Sequence, residues 1–168
     1  MAEDDHQQEH DASDLGEAEF EARILSQYIR DLSFESPSID RALDGPGENP
    51  NLELEVNVNA RSMHEHHYQA EIEFKAKASD DKGAIYHMEC TYGGVFVIQS
   101  MPKEALEPFL LVNCPSMLFP FLRRIIADLT REGGFPPLFL DPIDFGALYV
   151  NRKQQENSPT NGDGRQLN

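Results

Sequence analysis

The chain has 168 residues and a mass of 19.0 kDa, with 39% hydrophobic and 9% aromatic residues, which favours one domain with one core and a solvated remainder. Its 14 lysines and arginines face 30 aspartates and glutamates, and the resulting charge of −16 argues against nucleic acid or anionic lipid as a partner. Proline or charge interrupts each apolar stretch before the roughly 18 residues of a membrane span, and the start, MAEDDHQQEHDASD, has no signal region, so a cytoplasmic protein without direct membrane insertion is expected.

Residues 1–21 hold nine carboxylates and no lysine or arginine. Such a segment has too little apolar surface to offset its ordering entropy, and a disordered acidic extension is expected. The run from Ile24 to Phe34 alternates imperfectly and suits an edge strand. From Leu52 to Ala60, Leu52, Leu54, Val56, Val58 and Ala60 alternate with Glu53, Glu55, Asn57 and Asn59, the period of a half-buried strand. Tyr68 to Lys77 repeats the pattern, and Ser79–Gly83 (SDDKG) has the composition of a turn. Ala84 to Gln99 alternates again, and Gly93-Gly94 suggests a bulge there. Strands joined in series by short connections predict an antiparallel meander.

The period then changes. Met101 to Asn113 reads as a short helix that Pro108 ends or kinks. From Ser116 to Arg131, Met117, Phe121, Ile125 and Leu129 recur every four residues, predicting a longer amphipathic helix that Gly133-Gly134 stops. A last helix should start near Asp141 as cap and Pro142 as first residue. Residues 154–168 read as a flexible polar tail. Sheet first and helices second make the class α+β.

Catalytic machinery is not apparent. The sequence has neither a GxxxxGK[ST] loop nor a GxGxxG turn. His64, His66 and His67 around Glu65 lack the helical HExxH spacing and suit a solvated hairpin loop, so no metal and no cofactor are expected. Cys90 and Cys114, the two cysteines, suit buried side chains; a nucleophilic Cys114 would need exposure and a lowered pKa. Surplus apolar surface stands out instead. Residues 109–126 and 135–149 crowd phenylalanine, leucine and proline, as core, as an open groove or as an oligomer interface.

Four stretches carry a resemblance: DLSFESP (Asp31–Pro37), YGGVF (Tyr92–Phe96), NCPSMLFPFLRR (Asn113–Arg124) and GGFPPLFLDPIDFGALY (Gly133–Tyr149). Their order and spacing over residues 22–153 resemble the SecB family of bacterial protein-export chaperones. The resemblance implies a four-stranded antiparallel sheet with a long helix packed on it and a shorter C-terminal helix, assembled as a dimer of dimers, a homotetramer. It implies a holdase, not an enzyme, that binds unfolded secretory precursors without ATP and hands them to the motor ATPase SecA. By matching positions it implies a client groove of Leu52, Leu54, Val56, Phe135, Leu138, Leu140, Phe145 and Tyr149. It further implies SecA docking on Asp31, Glu35 and Glu89, with His87 in place of the family's usual aliphatic residue beside them, and subunit contacts through Met88, Cys90 and Tyr92. A SecB-like chaperone dedicated to an antitoxin, and a small cysteine-dependent α+β enzyme, are the competing readings.

Overall fold

Strict alternation builds a single sheet. The computed structural model describes residues 20–37, 40, 43 and 50–157, so residues 1–19 of the acidic extension and most of the polar tail lie outside the described residues, while Glu21, expected in the disordered extension, opens the first strand. Strands β1 (Glu21–Glu35), β2 (Asn51–His64), β3 (His67–Asp80) and β4 (Gly83–Gln99) pair antiparallel in the order β1–β4–β3–β2. Three hairpin-connected strands with the first strand returned beside the last make a Greek key, where the sequence suggested a meander. Only β2–β3–β4 follow the meander path. The hairpins turn at Glu65-His66, with His66 at φ 60°, and at Asp81-Lys82, where Asp80 Oδ1 accepts the Lys82 N–H at 2.8 Å.

Register decides the two faces. Ile72 lies opposite Tyr92, Phe74 opposite Cys90, Ala76 opposite Met88 and Ala78 opposite Tyr86, so these residues form the floor of the core. The alternate residues, Glu73, Lys75, Lys77, His87 and Glu89, form the outer face. The bulges fall at Leu25 and Arg30 of β1, while β4 keeps its register with β3 through Gly93 and Gly94. The glycines serve close approach instead. A Cβ on Gly93 would lie 2.8 Å from Glu71 Cγ and 2.9 Å from the Tyr28 ring; one on Gly94 would lie 3.0 Å from Leu118. Tyr28 donates to Glu71 Oε1 at 2.9 Å and Arg30 to Oε2 at 2.6 Å, so the buried Glu71 is paired across the Gly93 gap.

The helices form one continuous rod and one separate piece. Helix α1 (Lys103–Pro108) passes through a wider π turn, Phe109–Asn113, into α2 (Cys114–Glu132). Pro108 therefore does not end the helix. Its missing N–H is followed by the π turn, in which Cys114 N–H reaches back to Phe109 O. The prolines also fail to interrupt the apolar run as expected: Lys103–Glu132 is long and apolar enough to cross a membrane by length and composition alone. Here its apolar side lies on the sheet. Cys114, Leu118, Leu122 and Ile126 are completely buried against it, and each buried leucine or isoleucine contributes about 1.5–3 kcal/mol relative to exposure.

Gly134, at φ 86°, ends α2 and turns the chain into a proline-rich strap. Thr130, fully buried, fastens it: the Thr130 carbonyl accepts the Phe135 N–H at 3.1 Å and Thr130 Oγ1 accepts the Leu138 N–H at 2.9 Å. Helix α3 (Phe145–Asn157) follows. Its cap is Asp144, whose Oδ1 accepts the Ala147 N–H at 2.9 Å, so the Asp141–Pro142 pair remains in the strap. The helix also extends four residues into the expected tail, where Arg152 and Lys153 pair with Glu156.

Candidate functional site

β2 is the edge strand that the long helix does not fully cover. Leu52 and Leu54 remain 38% and 49% exposed, and Val56, Val58 and Ala60 are partly buried against the core. Three clefts follow this strand in residue order. The first, about 200 Å³, lies between Pro50, Leu52, Ala78, Tyr86 and the strap residues Phe135–Leu138. The second, about 640 Å³, is walled by Val56–Asn59 on one side and Leu111, Leu148 and Tyr149 on the other. The third, about 350 Å³, continues past Asn59–Ser62 to Leu106, Leu110 and Leu111. Arg152 joins the last two and clasps the strand edge, its Nη1 donating to Val58 O at 3.1 Å.

Of the residues assigned to a groove from sequence, Leu52, Phe135 and Leu138 meet in the first cleft, and Val56 and Tyr149 in the second. Leu54, opposite Ala76, shares the face of Leu52 and Val56 but lines none of the three clefts. Leu140 and Phe145 are core residues, 5% and 3% exposed, because the strap turns them inward; Phe145 meets Phe119 edge-on at 6.0 Å. Phe135 is buried too and forms a cleft floor, packed at 5.3 Å on Tyr86 and 6.2 Å on Phe34. Sequence reading missed Leu111, Leu148 and Arg152. Leu111 and Leu148 carried a visible signal in the apolar runs 109–126 and 135–149; Arg152 becomes legible only once α3 is placed.

The three carboxylates assigned to docking share one surface. Asp31 registers with Thr91, and Glu35 with His87, on either side of the Ser33–Glu89 pair. All three side chains are exposed on the outer face, opposite the helix. Lys75 approaches Glu89 at 3.3 Å and partly offsets it. Met88, Cys90 and Tyr92, expected at a subunit contact, are instead 1%, 1% and 7% exposed within this chain. Their face of β4 is filled by α2, with the Tyr92 ring stacked on Phe121 at 6.4 Å. Ile29, Leu32, Met117 and Phe121 are the large apolar residues left half-exposed on that side.

Cys114 is completely buried, and that burial pushes its thiol up to about 12; Cys90 is pushed up to about 11, first by burial and then by the Asp31 charge. A nucleophile needs the opposite shift, which removes the cysteine-enzyme reading. The His64 and His67 rings meet edge-on at 6.4 Å, and among the described residues no group of three or more metal-ligating side chains is assembled.

Residues 16–156 match the family described as preprotein translocase subunit SecB. The chain belongs to the SecB family. Among its relatives, a SecB protein-export protein of Rhizobium etli is 53% identical over 133 residues, covering 79% of this chain and 84% of that protein. Another from Bartonella bacilliformis is 42% identical over 139 residues, covering 82% and 87%. The fold also matches a SecB-like chaperone of Mycobacterium tuberculosis, solved with a ChAD peptide from the HigA1 antitoxin, at a TM-score of 0.60 and 15% identity over 73% of this chain and 89% of that one.

Proposed function

We propose that this SecB-family chain is an ATP-independent holdase that binds unfolded secretory precursors along the β2 trough and delivers them to SecA. The observation that supports it most is the row of three clefts beside an edge strand whose leucines stay exposed. A trough of this shape selects for extended, apolar chain segments. Each subsite contributes a small burial, at roughly 25 cal/mol per Å², and several subsites acting together give affinity without sequence readout. Folded proteins have already buried the matching side chains, so unfolded precursors bind in preference.

The outer acidic face is available for SecA while the trough, formed on the helix side, holds a client. A charge of −16 keeps a protein with exposed apolar surface dispersed in the cytoplasm. The export assignment rests on relatives at 42–53% identity. The antitoxin-peptide complex is only 15% identical and speaks to fold alone. The test is suppression of aggregation of a refolding precursor with no nucleotide present. Leu52→Ser with Val56→Ser should weaken the suppression while the native mass is kept, and full suppression by that variant would refute the trough.

A further inference from the structure

Which main-chain groups β2 turns away from β3 follows from two hydrogen bonds. Ile98 N–H donates to His66 O at 2.9 Å, so the even-numbered residues of β3 are the ones that exchange main-chain bonds with β4. The β3–β4 register is unbroken from His67 to Ala78, and the odd-numbered residues of β3 therefore bond to β2. In β2 this leaves Leu52, Leu54, Val56, Val58 and Ala60, the partners of even-numbered residues, with N–H and C=O groups directed away from β3. The second bond agrees, since Arg152 Nη1 donates to Val58 O at 3.1 Å from that side. No described strand pairs with this edge.

The edge and the trough thus belong to the same residues. Leu52, Val56 and Ala60 each line a different one of the three clefts, spaced along the strand by about 13 Å. An antiparallel strand added here would set its bonded residues opposite them, side chains towards the clefts, and turn the residues between outward. A row of main-chain donors and acceptors complements any extended backbone, and a folded domain has already paired its own. An edge with Leu52 and Leu54 exposed is also a template for unwanted pairing, which proteins block with charged side chains. Arg152 stands where that block is needed. Its side chain is half exposed and its Nε donates to Glu156 Oε1 at 3.0 Å, so the guanidinium keeps one partner when it leaves Val58.

We propose that extended clients add an antiparallel strand to the edge of β2, and that Arg152 is a displaceable plug on that edge, holding Val58 O until a client N–H replaces it. The client rests on the trough reading above; the direction of the edge groups and the Arg152 contact do not. Main-chain bonds then supply affinity without sequence readout, and the clefts add a preference for apolar side chains at alternate positions. The plug weakens binding of every client by one shared factor, because each must break the same contact.

Three fluorescein-labelled peptides of alternating leucine and serine test this on the full chain: one unmodified, one N-methylated at the leucine amides and one at the serine amides. With leucines in the clefts, an antiparallel strand bonds to β2 through its leucine amides. The leucine-methylated peptide should therefore bind about tenfold more weakly than its serine-methylated isomer, which has the same composition. Arg152→Met keeps the apolar stem and removes the donors; it should tighten the unmodified peptide roughly three- to tenfold and change the leucine-methylated one by less than about twofold. With the unmodified peptide bound, amide exchange should slow at Val56 and Val58 and stay unchanged at Asn57 and Asn59, which already bond to β3. Equal affinity of the two methylated isomers, or the reverse order, overturns strand addition and leaves the trough reading standing. Unchanged affinity in Arg152→Met overturns the plug. Binding of none of the three peptides overturns the trough reading, and strand addition with it.

Discussion

The ring of Phe145 stands edge-on to Phe119 with centroids 6.0 Å apart, and this contact ties the start of α3 to the middle of α2. It gives α3 a fixed position from which Leu148, Tyr149 and Arg152 face the edge of β2. Phe145 therefore shapes the trough from the core side without lining it.

Truncation should separate the two kinds of residue. Phe145→Ala opens a cavity beside Phe119 and is expected to cost about 3–5 kcal/mol of stability. Leu52→Ser, at a position more than a third exposed, should cost less than about 1 kcal/mol and weaken precursor binding instead. Thermal melting beside titration with an unfolded precursor checks both. A melt of Leu52→Ser as low as that of Phe145→Ala would place Leu52 in the core.

The sheet was legible because period two survives any tertiary context, and LELEVNVNA shows it over nine residues. Its order was not, since nothing local in Ile24–Phe34 states that β1 lies beside β4. The glycine pair was visible but its purpose was not: the demand comes from Tyr28 and Glu71, 65 and 22 residues away in sequence from Gly93. In the strap, phenylalanine and leucine read equally well as core or groove. The difference is made by Thr130, whose backbone and hydroxyl together decide which strap residues turn inward. Composition carries no such signal.

Assembly should follow the half-exposed apolar residues. Ile29 registers opposite Tyr92, which stacks on Phe121, so β1 and α2 present one continuous apolar margin beside a strand edge that no described strand pairs. We expect a native mass of about 76 kDa, four times 19.0 kDa. Ile29→Asp with Phe121→Asp should reduce it to that of a smaller species, read by light scattering. A wild-type protein that stays monomeric at micromolar concentration refutes the assignment.

Docking to SecA should depend on the outer carboxylates and not on the trough. Reversal of Asp31, Glu35 and Glu89 to lysine is expected to weaken the contact at least tenfold at low salt, with precursor affinity within twofold of wild type. Lys75→Ala should act in the opposite direction, by a smaller factor, because it frees Glu89 from a half-exposed pair at 3.3 Å. Equal loss of precursor binding in the triple variant would make the patch structural.

The buried thiols give stability a defined alkaline limit. Cys90 and Cys114 titrate near about 11 and about 12 in the folded chain, against 9.0 for the unperturbed thiol. The neutral thiol is favoured in the fold, so below pH 9 both states hold the proton and the thiols add no pH dependence. Above pH 9 the unfolded chain releases protons that the folded chain retains. Each thiol then lowers stability by about 1.4 kcal/mol per pH unit until its folded value is reached. Tyr86, raised by burial, adds loss in the same direction at higher pH. The melting temperature should accordingly be flat in thiol contribution up to about pH 9 and fall steeply from there towards pH 12. Cys90→Ala with Cys114→Ala should be less stable at pH 7 through lost packing, yet show a shallower alkaline slope, by up to two protons in the linkage. The same burial predicts that iodoacetamide at pH 8 modifies neither thiol in the folded protein and both in urea. An unchanged slope in the double variant, or rapid native alkylation, would show that these thiols reach solvent.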